Sequence, residues 1–392
     1  MEVPAEPTSP PVLETWEEYT ALSEHLLRGI YNFGFERPSQ IQKTAILPLM
    51  EGHDLIAQAP SGTGKTGAFS VGVLHRVDAS RPVTQAILLA PTHELVVQIH
   101  ATLNALGEVI PGLLLQTLVG GTPVAQDADM LRSRPPHIVI GTPGRVFDMI
   151  RRRHLKVHDV HVLVMDEADE MLSGNFKEQI HNIVCSLDAS CQIALFSATL
   201  GDDVLGIAHQ FLQSPVKITM DAPQLNLEGI QQFFVALPDD RVKYDALKDL
   251  FGQLSVNQSI IYVNSVPRVN QLYDAMVKDG FSVCCIHSSM RREERERAFL
   301  EFRTGVFRVL ISSNVTARGI DIQQVSTVVN FDVPRDPHTY LHRIGRSGRW
   351  GRKGVAINFI TRNDVPTLRR IENYYRSTIQ ELPNDFSKFL QQ

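Results

Sequence analysis

The sequence has few cysteines, no long apolar run and no excess of positive charge. Its 392 residues include four cysteines without metal-ligand spacing, which favours reduced thiols over a disulfide framework. No apolar run approaches the roughly 18 residues of a membrane helix. The N-terminus is acidic and proline-rich without an apolar signal core, so we expect an intracellular protein. The net charge of -5 leaves a nucleic-acid partner to be inferred from local motifs.

The composition is that of an ordinary globular protein, 43% hydrophobic and 21% charged, and the length suits two domains. Short apolar runs alternate with stretches of helical spacing in both halves. This predicts an α/β fold in which each half is a parallel sheet covered by helices on both faces. The strands predicted for the first half are 55–56, 86–90, 113–119, 138–140, 160–165 and 193–196. Those of the second half are 232–236, 259–263, 283–286, 308–311, 327–330 and 355–360, and a closing helix follows over 364–380.

The predicted domain organisation has four parts. Residues 1–15, rich in proline, form a mobile tail. The first domain covers 16–218, a linker covers 219–228, and the second domain covers 229–392. The second half repeats the architecture of the first without a second glycine-rich phosphate loop.

A glycine-rich segment, Ala59 to Thr66, lies between a predicted strand and a predicted helix. Its backbone N–H groups can converge on phosphate oxygens because glycine tolerates the required dihedral angles, and a helix N-terminus favours an anion. Lys65 would reach the β- and γ-phosphates, and the Thr66 hydroxyl would bind Mg²⁺. Ala59 stands where the usual motif has glycine, so an ordinary turn stays open for this segment alone. The other candidate phosphate ligands are Ser61, Gly62, Thr63 and Gly64.

Acidic residues follow the apolar run at 160–165. Carboxylates at the C-terminal end of a buried parallel strand face the ligand crevice. Asp166 would hold Mg²⁺, and Glu167 would orient or deprotonate the attacking water. Taken alone, the segment Asp166 to Asp169 could be the acidic first turn of an exposed helix. Beside the glycine-rich segment, it predicts a site that binds and hydrolyses a nucleoside triphosphate.

A basic segment in the second half, His342 to Gly354, spaces arginines three residues apart among glycines. Guanidinium groups match phosphate in a bidentate manner, and an arginine that reaches the transition state can accelerate phosphoryl transfer about 10³- to 10⁵-fold. Arg346 and Arg349 are the candidates for this role, and a solvated basic surface is the alternative. If they cross from the second domain, hydrolysis depends on closure of the cleft. Asp321, two residues after Gly319, could accept hydrogen bonds from the ribose hydroxyls.

Taken in chain order, these motifs resemble those of the DEAD-box ATP-dependent RNA helicases. The resemblance covers about Trp16 to Gln392. It implies two tandem RecA-like domains, with ATP and Mg²⁺ bound in the cleft between them. The matching segments are 34–42 (GFERPSQIQ), 59–66 (APSGTGKT), 91–95 (PTHEL), 120–121 (GG), 142–145 (TPGR), 166–169 (DEAD), 197–199 (SAT), 317–321 (ARGID) and 342–349 (HRIGRSGR).

The resemblance also implies roles for individual residues. Ser197 and Thr199 would couple hydrolysis to domain closure, and His342 would contact Asp169 across the cleft. The RNA would be held by its sugar-phosphate backbone and therefore without sequence preference. The residues implied for adenine recognition are Phe35, Arg37 and Gln42, with Gly319 and Asp321 near the nucleotide. Those implied for RNA binding are Pro91, Thr92, Gly120, Gly121, Thr142, Arg145, Arg295 and Ser313.

Within the family, the chain resembles the translation-initiation-factor-4A subgroup, because it is almost only the two-domain core. Details at 144–153 and 227–236 resemble the nuclear, exon-junction-complex member of that subgroup. Three departures from the family pattern fall on the RNA side. They are His93 for arginine, Ser288-Ser289 for glycine and aspartate, and Asn314 for aspartate.

Three activities stay open at this point. The first is an RNA-dependent ATPase that unwinds short duplexes, and the second is an ATP-gated RNA clamp that partner proteins hold shut. The last is a DNA helicase or another two-domain motor, which would need turnover stimulated by duplex DNA. A scaffold without turnover is disfavoured because Lys65, Glu167, Arg346 and Arg349 are all present. We expect single-stranded RNA and protein regulators of domain closure as partners, no membrane, a monomer when isolated, and a location in the nucleus or cytoplasm, the nucleus being favoured by resemblance only.

Overall fold

A computed structural model of the chain describes residues 13–60, 62–173, 176–220, 230–253, 258–314, 325–347 and 354–383. The chain divides into two compact units between Met220 and Asp221, here called unit 1 and unit 2. Several predicted features lie outside the described residues. They are residues 1–12 of the tail, residues 221–228 of the linker, the trailing segment from 384, and the site residues Ser61, Gly319, Asp321 and Arg349.

Unit 1 is built on a parallel β-sheet. Its described strands are β1 (Leu55–Gln58), β2 (Ala86–Leu89), β3 (Leu115–Leu118), β4 (Ile138–Gly141), β5 (Val162–Asp166), β6 (Gln192–Ser197) and β7 (Val216–Thr219). Their order across the sheet is β3-β4-β2-β5-β6-β1-β7, and every pairing among them is parallel. Parallel neighbours need a crossover connection, which helices supply here.

The described helices of unit 1 are α1 (Glu24–Asn32), α2 (Gln40–Glu51), α3 (Lys65–Arg76), α4 (His93–Gly107), α5 (Val124–Ser133), α6 (Pro143–Arg151), α7 (Ala168–Ser173), α8 (Lys177–Ser186) and α9 (Asp202–Ala208). Side-chain caps fix two of their starts. The hydroxyl of Ser23 accepts from the backbone N–H of Leu26 at α1, and that of Thr92 accepts from Leu95 at α4.

The sheet of unit 1 is buried on both faces, and β5 shows this most directly. Val162 and Val164 pack into one core, with helices α1 to α4. The alternate residues Leu163 and Met165 pack into a second core on the opposite face, with α6 to α9. A strand covered on both faces reads as a continuous apolar run, so the prediction made from residues 160–165 is confirmed.

Unit 2 repeats this architecture. Its described strands are β8 (Ile230–Ala236), β9 (Ser259–Tyr262), β10 (Val283–Ile286), β11 (Val309–Ser312), β12 (Thr327–Asn330), β13 (Gly354–Ile360) and β14 (Gln380–Glu381). They pair in parallel in the order β10-β11-β9-β12-β13-β8-β14. Numbered from the first strand of each unit, the two orders are the same. The predicted fold, two successive parallel sheets covered by helices, is confirmed.

The described helices of unit 2 are α10 (Lys243–Gln253), α11 (Val266–Lys278), α12 (Arg292–Arg303), α13 (Pro337–Ile344) and α14 (Val365–Tyr375). Here too, alternate residues of one strand enter different cores. Ile260 and Tyr262 of β9 pack with residues of α12 to α14, whereas Ile261 packs on the other face with residues of α10 and α11.

The predicted elements differ from the structure most clearly in three places. The closing helix predicted over 364–380 ends at Tyr375, because Arg376 adopts a left-handed conformation with φ 48°, and Gln380–Glu381 then pair with β8. Strand β7 was not predicted, because it is an edge strand in which only Ile218 is buried. Strand β3 begins two residues later than the predicted 113.

The ends of the predicted first domain also differ. Leu13 packs against the core of unit 1 and Glu14 forms an ion pair with Lys43, so residues 13–15 belong with unit 1 rather than with the predicted tail. Thr219 lies in β7, and the backbone N–H of Met220 donates to Gln58, so the predicted linker begins two residues later. Within the described residues, no helix is both long and apolar enough to cross a membrane.

Candidate active site

The glycine-rich segment forms a loop between β1 and the start of α3, as predicted. Gly62 and Gly64 have φ values of 81° and 102°, which a residue with a Cβ rarely adopts, and α3 begins at Lys65 directly after them. The hydroxyl of Thr63 donates to the carbonyl of Pro60 at 2.7 Å, which closes the turn. Thr66 is the second residue of α3 and is half-buried. The loop therefore directs backbone N–H groups and a helix N-terminus toward one place.

The ammonium group of Lys65 lies inside this loop. Lys65 is only 7% exposed, and its Nζ donates to the carbonyl oxygen of Ala59 at 2.7 Å. A buried ammonium is costly without compensation, and the loop carbonyl supplies only part of it. Burial raises the pKa of Asp166, and the charge of Lys65 opposes that rise, so Lys65 acts on the acidic end of β5.

A second contact joins the loop to the motif predicted for adenine recognition. Gln42 accepts from the backbone N–H of Ser39 at 2.7 Å and donates from Nε2 to the carbonyl of Gly64 at 3.3 Å. A Cβ added at Gly67 would lie 2.5 Å from Gln42 Nε2 and 2.9 Å from the ring of Phe35. The absence of a side chain at Gly67 is therefore what allows the two motifs to touch.

The aromatic residues beside Gln42 form a stack. The rings of Trp16 and Phe35 lie 6.3 Å apart at 18°, and Trp16 is fully buried. Phe35 is half-buried and Arg37 is exposed. Trp16 thus supports Phe35 from behind, which leaves Phe35 as the aromatic residue nearer the surface.

The acidic residues predicted to act on the phosphates lie at the C-terminal end of β5. Asp166 and Glu167 are 5% and 4% exposed. Burial holds the pKa of Asp166 well above its usual range, and the neighbouring carboxylate of Glu167 adds to this while Lys65 opposes it. Glu167 has a left-handed backbone with φ 53°, a conformation that costs on the order of 1 kcal/mol and is found mainly at functional sites.

Ser197 and Thr199 connect the loop to this acidic segment. The backbone N–H of Ala59 donates to the carbonyl of Ser197 at 3.0 Å. The Ser197 hydroxyl donates to the carbonyl of Thr199 at 2.8 Å, and the Thr199 hydroxyl donates to Asp169 at 2.7 Å. One hydrogen-bonded path therefore runs from the start of the glycine-rich loop to the end of the acidic motif.

These residues fit a magnesium nucleotide. Two carboxylates, Asp166 and Glu167, are buried side by side, and burial of like charges calls for a cation between or beside them. Mg²⁺ prefers oxygen ligands such as carboxylate and hydroxyl groups, which Asp166 and Thr66 would supply. The cradle at Gly62 and Gly64 would be lost if side chains were added at their positive φ values.

The residues of unit 1 predicted to bind RNA lie on loops that follow strands β2, β3 and β4. Gly120, Gly121 and Gly144 are exposed, and in the part of the chain that the structure describes a Cβ added at any of them would meet no atom of another segment within 4 Å. Pro91 is buried, whereas Thr92 and Thr142 are half-buried at the starts of α4 and α6. His93, one of the departures from the family pattern, is 9% exposed in the first turn of α4.

Arg145 differs from the other predicted RNA-binding residues of unit 1. Its guanidinium group is 10% exposed and forms an ion pair with Asp127, a residue that the sequence did not single out. It also donates to the hydroxyl of Thr122 at 2.7 Å and to the carbonyl of Thr122 at 2.8 Å. The structure thus places Arg145 against protein groups rather than on the open surface.

In unit 2, the predicted residues are placed as follows. His342 and Arg346 are 1% and 2% exposed, and Nε of Arg346 donates to the carbonyl of His342 at 3.2 Å. Arg295 is half-buried near His287, and burial followed by the charge of Arg295 lowers the pKa of that histidine. Ser313 is 8% exposed at the end of β11.

A polar network surrounds the buried side chain of Arg343, which the sequence placed in a motif without assigning it a role. Arg343 is fully buried and donates to the side-chain oxygens of Asn264, Asn314 and Asn330 and to the carbonyl of Asp332, at 2.6 to 3.2 Å. Its acceptors are neutral, and burial lowers the pKa of Arg343 to about 10. Because Arg343 and its acceptors lie far apart in the sequence, no local pattern indicated this cluster.

Comparisons with known proteins agree with this geometry. A model of the family described as DEAD/DEAH box helicase matches residues 39–206, and a model of the helicase conserved C-terminal domain matches residues 242–351. The ATP-dependent RNA helicase eIF4A of Candida glabrata is 48% identical over 364 residues, which cover 93% of this chain and 91% of that protein. The chain belongs to the DEAD-box helicase family.

Two further proteins are similar over nearly the whole chain. Eukaryotic initiation factor 4A of Caenorhabditis elegans is 46% identical over 379 residues, 97% of this chain and 94% of that protein. Dbp5 of S. cerevisiae, solved bound to RNA and ADP BeF3, has a TM-score of 0.89 and 34% identity over 97% of this chain and 98% of that one. The two relatives named eIF4A and initiation factor 4A support the initiation-factor-4A type. They give no support to the nuclear exon-junction member that details of the sequence favoured.

Proposed function

We propose that this protein is an ATP-dependent RNA helicase of the eIF4A type, which hydrolyses ATP when RNA is bound and separates short duplexes locally. The observation that carries the proposal is the convergence of three motifs in unit 1. Gln42 contacts Gly64 of the glycine-rich loop, Lys65 of that loop acts on Asp166, and Thr199 contacts Asp169. The names of the eIF4A relatives support the choice of ATP and RNA.

Within unit 1, the nucleotide would be held by the residues that make these contacts and by their neighbours. Gln42, beside the Trp16-supported ring of Phe35, offers the amide that would recognise adenine, with Arg37 at the exposed edge. The phosphates would lie over the backbone N–H groups of the loop, including Ser61, and would take the ammonium of Lys65 from the Ala59 carbonyl.

Hydrolysis would need a water placed in line with the γ-phosphate. Thr66 and Asp166 would hold Mg²⁺, which when bound supplies positive charge to the phosphate oxygens. Glu167 is buried and fixed in a left-handed conformation, which favours one orientation of its carboxylate for positioning the water. Ser197 and Thr199 would couple hydrolysis to domain closure through the hydrogen bond from Thr199 to Asp169.

Unit 2 would complete the catalytic machinery on closure. We propose that Arg346 and Arg349 stabilise the negative charge that develops on the phosphates, that His342 contacts the acidic motif, and that Gly319 and Asp321 bind the nucleotide. For Arg346 the support is its attachment to α13 through the His342 carbonyl. Hydrolysis that depends on residues from both units becomes conditional on closure.

RNA would lie across the exposed glycine loops of unit 1, with Pro91, Thr92 and Thr142 beside them, and on Arg295 and Ser313 of unit 2. Contacts to backbone phosphates and 2′-hydroxyl groups give binding without sequence preference. The openness of Gly120, Gly121 and Gly144 supports this placement, because among the described residues no atom outside their immediate backbone lies within 4 Å of a Cβ built at these positions.

We also propose a setting in mRNA metabolism, as for a translation initiation factor, with protein regulators that control closure. A monomer and a location in the nucleus or cytoplasm remain part of the proposal. Affinity capture from cells followed by identification of bound proteins would test the setting, and fluorescence imaging of the tagged full chain would test the location.

The decisive experiment is ATP turnover by the full chain with and without single-stranded RNA. We expect RNA to stimulate turnover, and Glu167→Gln to reduce it about 10²- to 10⁴-fold while ATP binding persists. A strand-separation assay on a short labelled duplex would then distinguish the two activities. A helicase releases the labelled strand. An ATP-gated clamp retains RNA with a non-hydrolysable analogue but leaves the duplex intact. An ATP turnover rate that is the same with and without RNA, or that Glu167→Gln does not reduce, would contradict the proposal.

A further inference from the structure

The contacts of Arg145 join two of the loops over which RNA would pass. Arg145 lies in the first turn of α6, directly after the loop that contains Thr142. Thr122 follows Gly121 in the loop after β3, and Asp127 lies in the first turn of α5. The three side chains form a closed triangle, because the Thr122 hydroxyl also lies 3.0 Å from Asp127 Oδ2. One guanidinium group therefore bridges the β3–α5 loop and the β4–α6 loop.

The bridge is built as a buried structural contact. The side chains of Arg145 and Asp127 are 10% and 5% exposed. Of the five N–H groups of Arg145, those on Nη1 meet Asp127 and Thr122 Oγ1, and one on Nη2 meets the Thr122 carbonyl. A phosphate could use these three donors only by displacing a buried carboxylate, which would leave Asp127 as an uncompensated charge. The two remaining N–H groups, on Nε and Nη2, belong to a side chain that is only 10% exposed.

We propose that Arg145 and Asp127 are positioning residues for RNA rather than contacts to it, an inference that rests on the proposed function. The bridge would hold Gly120, Gly121 and Gly144 so that their exposed backbone faces one strand of RNA. Because the loop at Gly120 and Gly121 is conformationally free, its preorganisation beside Gly144 in the first turn of α6 needs an outside contact, and this ion pair supplies it.

Two variants separate the two roles of Arg145 by the sign of their effects. If Arg145 binds phosphate directly, Asp127→Asn removes its competitor, so RNA affinity rises or is unchanged. If the pair is a bridge, Asp127→Asn loosens the loops, and affinity falls. Arg145→Gln lowers RNA affinity in either case. A lost phosphate contact would also reduce the slope of log affinity against log salt by about 0.7 for a single strand.

The measurement is fluorescence anisotropy of a labelled 20-nucleotide poly-U RNA with the full chain and a non-hydrolysable ATP analogue at several salt concentrations. We expect Asp127→Asn and Arg145→Gln each to weaken binding about fivefold or more, the lower range of coupling between sites, with an unchanged salt slope. In RNA-stimulated turnover, the RNA concentration for half stimulation should rise, and the rate at saturating RNA should be kept.

Asp129→Asn is the matched control. Asp129 lies two residues away on the same helix, is 76% exposed and pairs only loosely with the exposed Arg132 at 3.4 Å. The substitution makes the same change of charge without touching the bridge, so RNA affinity should stay that of the unmodified chain. An equal loss in Asp129→Asn would show that net charge, not the bridge, sets the affinity.

A variant of a buried ion pair can also fail to fold, so thermal unfolding and affinity for the ATP analogue are measured for each. The double variant Asp127→Asn with Arg145→Gln leaves no uncompensated charge and should show the same weakened binding with the same salt slope. Unchanged or tighter RNA binding in folded Asp127→Asn, or a slope reduced in Arg145→Gln, would overturn the inference. No RNA binding by the unmodified chain would instead overturn the proposed function and the inference with it.

Discussion

The ammonium group of Lys65 is bound by the carbonyl oxygen of Ala59, 2.7 Å away, within the same loop. The side chain of Lys65 thus folds back onto the first residue of its own loop, and a triphosphate would offer its buried positive charge a far stronger partner.

This relationship predicts that Lys65→Ala abolishes nucleotide use without unfolding unit 1. Removing the ammonium removes a charge-assisted contact to phosphate, so we expect ATP affinity to fall at least about tenfold and turnover about 10²-fold or more. Calorimetry with an ATP analogue and a phosphate-release assay check this. Lys65→Arg keeps the charge and should retain part of the ATP affinity. An equal loss of ATP affinity in both variants would mean that the shape of the side chain, and not its charge, determines nucleotide binding.

Gly67→Ala should impair ATP binding through Gln42. Its Cβ would lie 2.5 Å from Gln42 Nε2 and 2.9 Å from Phe35, so both residues proposed to recognise adenine must move. Gly72→Ala on the same helix is the control, because its Cβ would lie 2.7 Å from Leu49, away from the nucleotide. We expect both variants to melt earlier by comparable amounts. Only Gly67→Ala should lose ATP affinity, and an equal loss in Gly72→Ala would argue against a local effect.

Asn314→Asp should stabilise unit 2. Asn314 Oδ1 accepts from Nε and Nη2 of Arg343 at 3.0 and 2.6 Å, and Arg343 is buried among neutral acceptors. A carboxylate would turn these into charge-assisted bonds, roughly twice as strong, so we expect about 1 kcal/mol of added stability in denaturant unfolding. Asn270→Asp, exposed on α11, is the control with the same change of charge. A stability that falls in Asn314→Asp would contradict the expectation.

The cysteines should react with thiol reagents in an order set by burial. Burial raises the pKa of Cys191 and of Cys284 to about 12, from a usual value near 9, whereas Cys185 is exposed. Since the thiolate is the reactive form, Cys185 should be labelled first at pH 8, and Cys191 and Cys284 only after unfolding. Mass spectrometry of labelled peptides over time checks the order. Early labelling of Cys284 would show that the core of unit 2 opens.

The same two thiols predict how stability depends on pH. Their folded-state pKa is raised, so the unfolded chain loses protons first as the pH increases. The stability that they contribute is complete below about pH 9 and is lost between about pH 9 and 12. Urea unfolding of Cys191→Ala and Cys284→Ala at pH 7 and 10 should show a smaller decline with pH than the unmodified chain shows.

The nucleotide motifs were predictable from sequence because their chemistry is local. A glycine-rich turn between a strand and a helix, or a carboxylate at the end of a buried strand, brings its ligand atoms together within a few residues. The continuous apolar run at 160–165 likewise predicted that a parallel strand is buried on both faces. Edge strand β7 was not, because a single buried residue, Ile218, leaves no pattern to detect.

What only the tertiary structure decided are contacts between residues far apart in the chain. The sequence identified Arg145 and Arg343 as members of motifs, but it could not show that Asp127 pairs with one or that three asparagines surround the other. A charged side chain looks the same in a sequence whether it faces phosphate or protein. Packing decides between them, because a guanidinium group leaves water only where the fold supplies acceptors, and those acceptors come from strands and loops that adjoin only once the sheets have formed.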